Sequence, residues 1–138
     1  IDLVKQNTAE NPVFYVQYAH ARVRGVFREV RQRFGIDPDK ESLTEYVNHM
    51  KDQQGLELMK KLLFFKDTLK DAVLNLSPHL IVYDLLEIAK LFHNYYNHHR
   101  VMVEDKSVMI GRLSLLKGVE IGLKVGLNLI GVKAPERM

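Results

Sequence analysis

Tyr15, Tyr18 and Arg22 stand at spacings i, i+3 and i+7 within NPVFYVQYAHAR, residues 11–22. On a helix that spacing places them along one stripe. Two flat rings and a planar guanidinium side by side can stack on an unpaired base and hold its phosphate. The same tyrosines could instead edge the core with their hydroxyls in water, which composition alone favours. Around Arg22 the helix also carries Arg24, Arg28, Arg31 and Arg33, with only Glu29 among them. Like charges so close repel unless an anion is near, and the guanidinium fork matches phosphate oxygens two at a time.

A second cluster is Phe92-His93-Asn94-Tyr95-Tyr96-Asn97-His98-His99-Arg100. It joins stacking surfaces, amides able to read base edges and basic groups, a mixture suited to single-stranded RNA. Alternatively, Phe92 and one tyrosine are core and the polar residues finish a helix. His93, His98 and His99 lack the i, i+4 spacing of helical zinc pairs, and no HExxH pattern supports them, so no metal site is expected. No catalytic residue is expected either. The sequence has no glycine-rich phosphate loop before a helix, no GxSxG and no carboxylate pair in an apolar context. Asp84 and Glu87 read as solvent-facing, or as partners for Lys90.

The elements that must position these residues are helices. Asn11 caps the first and Pro12 occupies its first turn. Val16, Ala19, Val23, Phe27 and Val30 form its apolar stripe, and Gly35 ends it. After a turn at 36–39, Ser42-Leu43-Thr44-Glu45 reads as a capping box opening a short helix with Leu43, Tyr46, Val47 and Met50 inward. Gly55 is expected to separate it from a third helix with Leu58, Leu62, Phe65, Leu69 and Val73 along its core face. Ser77-Pro78 starts the fourth, which runs to His99 with Ile81, Leu85, Ile88 and Phe92 inward, a stripe that Tyr95 could extend. A loop follows at 100–106. The last helix, about 107–129, carries Ile110, Leu113, Val119 and Leu123. Within it Gly118, Gly122 and Gly126 recur every fourth residue, implying a close helix neighbour, expected to be the first helix. The fold class is therefore all-α, a bundle of about five helices.

At 138 residues with 46% hydrophobic and 27% charged content, the chain fits one globular domain. It contains no cysteine, which excludes a disulfide scaffold and fits a reducing compartment, and no apolar run is long enough to span a membrane. Its net charge of +3 is modest. It begins at Ile1, so a processed chain or a piece of a longer one is expected.

Three segments together resemble one family: NPVFYVQYAHAR, then SPHLIVYDLLEIAKLFHNYYNHHRV at 77–101, then RLSLLKGVEIGLKVGLNLIGVKAPERM at 112–138. In order and spacing they resemble the DALR-type C-terminal anticodon-binding domain of arginyl-tRNA synthetases. The resemblance implies a piece of an enzyme that uses ATP and magnesium to attach arginine to its tRNA. The catalytic HIGH- and KMSK-like motifs of that family are not in this sequence, so the chain is expected to bind tRNA, weakly, and to be inert alone. It also implies a cytoplasmic, monomeric protein, with residues 1–10 as a linker from the catalytic domain, and no membrane or DNA partner. In the family, positions matching Tyr15, Tyr18, Arg22 and Met138 line a pocket around splayed anticodon bases, with Tyr95, Tyr96 and Arg100 nearby. The competing expectation is a helical protein-interaction bundle that docks a partner or its own catalytic domain.

Overall fold

The computed structural model describes residues 11–41, 43 and 51–138. Among these residues there are four helices and no strand: α1 (Pro12–Phe34), α2 (Gln53–Leu74), α3 (Pro78–His98) and α4 (Lys106–Leu129). The short helix expected at 42–50 lies outside the described residues, apart from Leu43, which is buried. Residues 1–10 lie outside them too.

Each helix starts and stops for a local reason. The Asn11 side chain accepts the Phe14 N–H at 3.2 Å, and Gly35 closes α1 at φ 67°, where its N–H reaches the Arg31 carbonyl. Asp52 opens α2 by accepting the Gly55 N–H at 2.6 Å. Gly55 therefore lies inside the first turn of α2 and is not the expected separator. A Cβ there would sit 2.9 Å from the capping carboxylate, which is why a glycine suits the position. Asp105 caps α4 through Ser107 and Val108. At its far end Gly131 takes φ 78°, with Val132 N–H bonded to the Leu127 carbonyl and Gly131 N–H to that of Asn128. This is a Schellman arrangement, and it turns the chain back on itself.

The apolar stripes meet in one core. All five expected residues of α1 are buried, as are Ile81, Leu85, Ile88, Phe92 and Tyr95 of α3 and Ile110, Leu113, Val119 and Leu123 of α4. On α2 the stripe ends at Ala72, while Val73 is 61% exposed. A 3.6-residue period favours i+3 over i+4 at that last step. The helices pack as a bundle in which α1 contacts α3 and α4, and α2 contacts α3 and α4. The glycines of α4 correct another expectation. Gly118 and Gly122 face Leu62 of α2, and Gly126 faces Leu85 of α3 and Phe65 of α2; none has α1 as its close neighbour.

Candidate nucleic-acid interface

Packing of α1 against α3 lays the Tyr15–Tyr18–Arg22 stripe beside His93. The His93 ring lies 5.2 Å from that of Tyr15 and 5.8 Å from that of Tyr18, centroid to centroid. Arg22 donates to His93 Nδ1 at 3.4 Å, and its guanidinium carbon stands 4.4 Å above the centre of the Tyr96 ring. Two tyrosines, a histidine, a third tyrosine and an arginine thus form one continuous, half-buried surface of ring faces and one cation. Burial pushes the Tyr15 hydroxyl above its usual range, with the Arg22 charge pulling the other way. Burial first and Arg22 second hold His93 down at about 4, so the ring is neutral at pH 7. A neutral imidazole accepting from Arg22 at Nδ1 carries its proton on Nε2, and that atom is buried without a partner among the described residues.

Tyr96 is also one wall of a cavity of about 330 Å³ that includes Arg33, His99, Arg100 and Met102. Arg100 therefore joins the stripe through Tyr96. Tyr95 does not. Its ring is 0% exposed, stacked on His99 at 4.7 Å, and its hydroxyl is bonded to Arg112 and pushed up to about 12 by burial. Spacing explains the difference: Tyr95 continues the Ile81–Phe92 core stripe, whereas Tyr96 is turned about 100° towards α1. The three histidines of the cluster part company as well. His93 joins the stripe, His98 bonds the Asn94 carbonyl, and His99 reaches Gln54 and Asp52. Among the described residues no group of three His, Asp or Glu could hold a metal ion.

The arginine cluster of α1 is not an open phosphate surface. Arg24 bonds Asp39 at 2.8 Å, Glu136 at 2.9 Å and Glu120 at 3.1 Å. Arg28 approaches Glu136, Arg31 pairs with Asp37 and Asp39, and Arg33 pairs with Glu29. Lys117 of α4 completes the group on Asp39 and Glu120. The hydrogen bond from Arg24 holds the Asp39 carboxyl far below its ordinary range. Of the five arginines, Arg22 alone has no carboxylate partner among the described residues, and an aromatic ring lies beneath it instead. Likewise Asp84 pairs with Lys61 of α2 at 2.7 Å, leaving Glu87 to Lys90.

Met138 is 55% exposed and is reached by a different route. The segment after Gly131 runs along the flank of α1 formed by Gln17, His20, Arg24 and Arg28. At 100° per residue that flank is about 150° round the helix from Tyr15, Tyr18 and Arg22. The expected residues thus fall into a stripe with its adjoining cavity, a buried Tyr95, and an exposed Met138 two positions beyond Glu136, where the segment on the other flank makes its last bond. His93 was not among the expected contacts; its position in the sequence cluster was visible, but its place between two α1 tyrosines is set by helix packing.

A sequence model of the DALR anticodon binding domain matches residues 16–138. The chain is 49% identical over its whole length to the arginine–tRNA ligase of Aquifex aeolicus, and 44% identical to that of Geobacter metallireducens; in each case it spans 24% of the relative. The arginyl-tRNA synthetase of Thermus thermophilus superimposes with a TM-score of 0.72 at 28% identity, covering 90% of this chain and 21% of that one. With four helices in this order among the described residues and a family match over nearly all its length, the chain belongs to the DALR anticodon-binding domain family.

Proposed function

We propose that this chain is the tRNA-recognition module of an arginine–tRNA ligase, and that it reads the anticodon arm of arginine tRNA through Tyr15, Tyr18, Arg22, Tyr96, Arg100 and Met138. The observation that carries the reading is the stripe itself: rings of Tyr15, Tyr18 and Tyr96 beside the one α1 arginine that has no carboxylate partner among the described residues. Splayed bases can stack on such rings and be read at their edges, while Arg22 and Arg100 supply fixed positive charge for phosphate. ATP and magnesium chemistry is assigned to the remainder of a full-length ligase. The described residues offer no ligand cluster that fits magnesium. A monomer acting in the cytoplasm, beside its own catalytic domain, belongs to the same reading.

The test is binding to an anticodon stem-loop across a salt series. Tyr18→Ala should weaken it by about 1–3 kcal/mol, the worth of one stacked base. Arg22→Ala should weaken it and flatten the salt dependence, because one phosphate contact fewer releases fewer counterions. Parent-like binding by both variants would refute the assignment. A second reading, a protein-docking bundle, draws on Leu56, Leu63 and Leu74, exposed on the solvent face of α2. It predicts self-association and indifference to the central anticodon base, so exchanging that base separates the two.

A further inference from the structure

Four side chains of α1 hold the segment after α4 in register. Gln17 Nε2 donates to the Lys133 carbonyl at 2.9 Å, and His20 Nδ1 donates to the Pro135 carbonyl at 2.8 Å. Arg24 Nε then binds the Glu136 carboxylate and Arg28 Nη1 the Glu136 carbonyl, both at 2.9 Å. Spacings of 3, 4 and 4 put all four on one helix face, and they meet the segment in order, so 133–136 runs parallel to α1. Three of the acceptors are backbone carbonyls, which fixes the path of the chain regardless of its side chains. His20 is itself buried, and Arg24 is tied to Asp39 and Glu120, so two of the four donors are immobile. Nothing in this ladder touches the Tyr15–Tyr18–Arg22 stripe; its consequence is where the chain stands when it reaches Met138.

We propose that Gln17, His20, Arg24 and Arg28 are positioning residues that strap 133–136 to α1 and thereby hold Met138 in place for RNA. This rests on the reading of Met138 as an RNA contact. A free segment of this length would sample many directions, and ordering its side chain on binding would cost affinity; a strapped one arrives ordered. The strap begins at the Gly131 turn and leaves α1 beside Arg28, so only Arg137 separates its last bonded residue, Glu136, from Met138.

The test combines two readouts on the full chain carrying 13C-methyl methionine. Gln17→Ala and Arg28→Gln are chosen because both side chains lie partly in solvent and neither is buried in the core. Each should sharpen the Met138 methyl resonance and move it towards its unfolded position, leaving those of Met59 and Met109 in place. Each should also weaken binding of an anticodon stem-loop about 2- to 10-fold, the worth of one hydrogen bond. In a Met138→Ala background that loss should vanish, whereas a purely electrostatic effect of Arg28 would persist. An unmoved Met138 methyl, or equal losses in both backgrounds, would overturn the strap. If the methyl loosens but Met138→Ala binds RNA like the parent, the RNA reading of Met138 fails instead.

Discussion

Arg22 and Arg24 stand two residues apart on α1 and meet different chemistry. Arg24 is enclosed by three carboxylates, and the hydrogen bonds to Asp39 first and Glu136 second raise its proton affinity further. Arg22 lies over the Tyr96 ring and donates to a neutral histidine. The sequence shows five arginines with one acidic neighbour within the helix, because Asp37 and Asp39 lie in the turn after it and Glu120 and Glu136 come from distant stretches. By contrast, the Tyr15–Tyr18–Arg22 stripe is legible from spacing alone, since it depends only on the helix period. That His93 joins it, and that Tyr95 is sealed from it, depends on how α3 is rotated against α1. The ring beneath Arg22 makes charge and shape separable. Arg22→Lys keeps the charge and can keep a cation–π contact with Tyr96, but loses the planar fork that stacks and grips phosphate oxygens two at a time, at a cost of about 0.5–1.5 kcal/mol. Filter binding of an anticodon stem-loop should therefore show weaker affinity with an unchanged salt slope. A variant as tight as the parent would mean that Arg22 acts through charge only.

At the scale of the helices, the glycine series of α4 looks uniform in sequence and is not uniform in space. Every fourth residue is glycine, which costs the helix about 1 kcal/mol each relative to alanine. A Cβ on Gly118 would meet only Leu62 Cδ1 at 3.4 Å, ordinary contact, but on Gly126 it would meet Leu85 Cδ2 at 2.5 Å and Phe65 Cζ at 3.0 Å. Gly126 thus permits the approach of α2 and α3 at one level of the bundle, and both intruding atoms belong to well-packed core side chains. Gly118→Ala should stabilise the fold by about 0.5–1 kcal/mol, and Gly126→Ala should destabilise it by about 1–3 kcal/mol through overpacking. Urea unfolding decides both, and a stabilised Gly126→Ala would show that the helices separate freely there. A run of small residues reveals close packing in sequence, but not which helix approaches. Helix ends are more legible, because Asn11, Pro12, Gly35 and Gly131 act through local backbone chemistry. Gly55 escaped that logic, since the same residue type that breaks a helix also makes room for a capping carboxylate.

For the molecule as a whole, stability against pH follows from two sets of groups that the bundle brings together. His20 and His93 are both held below their ordinary pKa by burial, His93 at about 4. For them the unfolded chain takes up protons first, so stability is full above pH 6.5 and falls as pH drops from there towards 4. Asp37, Asp39 and Glu136 are held below their ordinary values by bonds from Arg31, Arg24 and Arg24 respectively. Their contribution is present above the unfolded carboxylate range and is lost as pH falls through and below about 4. Acid therefore acts in two stages: first on His93 in the α1–α3 seam and on His20 beside the 133–136 segment, then on the ion cluster joining α1, α4, the 37–39 turn and that segment. The stages can be separated by variant. His93→Phe keeps a ring between Tyr15 and Tyr18 but has nothing to protonate, so it should remove on the order of 2 kcal/mol of the loss between pH 6.5 and 4. Asp39→Asn should leave that interval unchanged and flatten the decline below it. Chemical denaturation at pH 7, 5.5, 4.5 and 3.5 would resolve both, and a parent-like slope in His93→Phe between pH 6.5 and 4 would show that His93 is solvated in the fold. The first stage acts on both flanks of α1, through His93 under the stripe and His20 beside Pro135. Anticodon stem-loop binding by the parent should therefore already weaken between pH 6.5 and 4, before the carboxylates of the ion cluster are protonated.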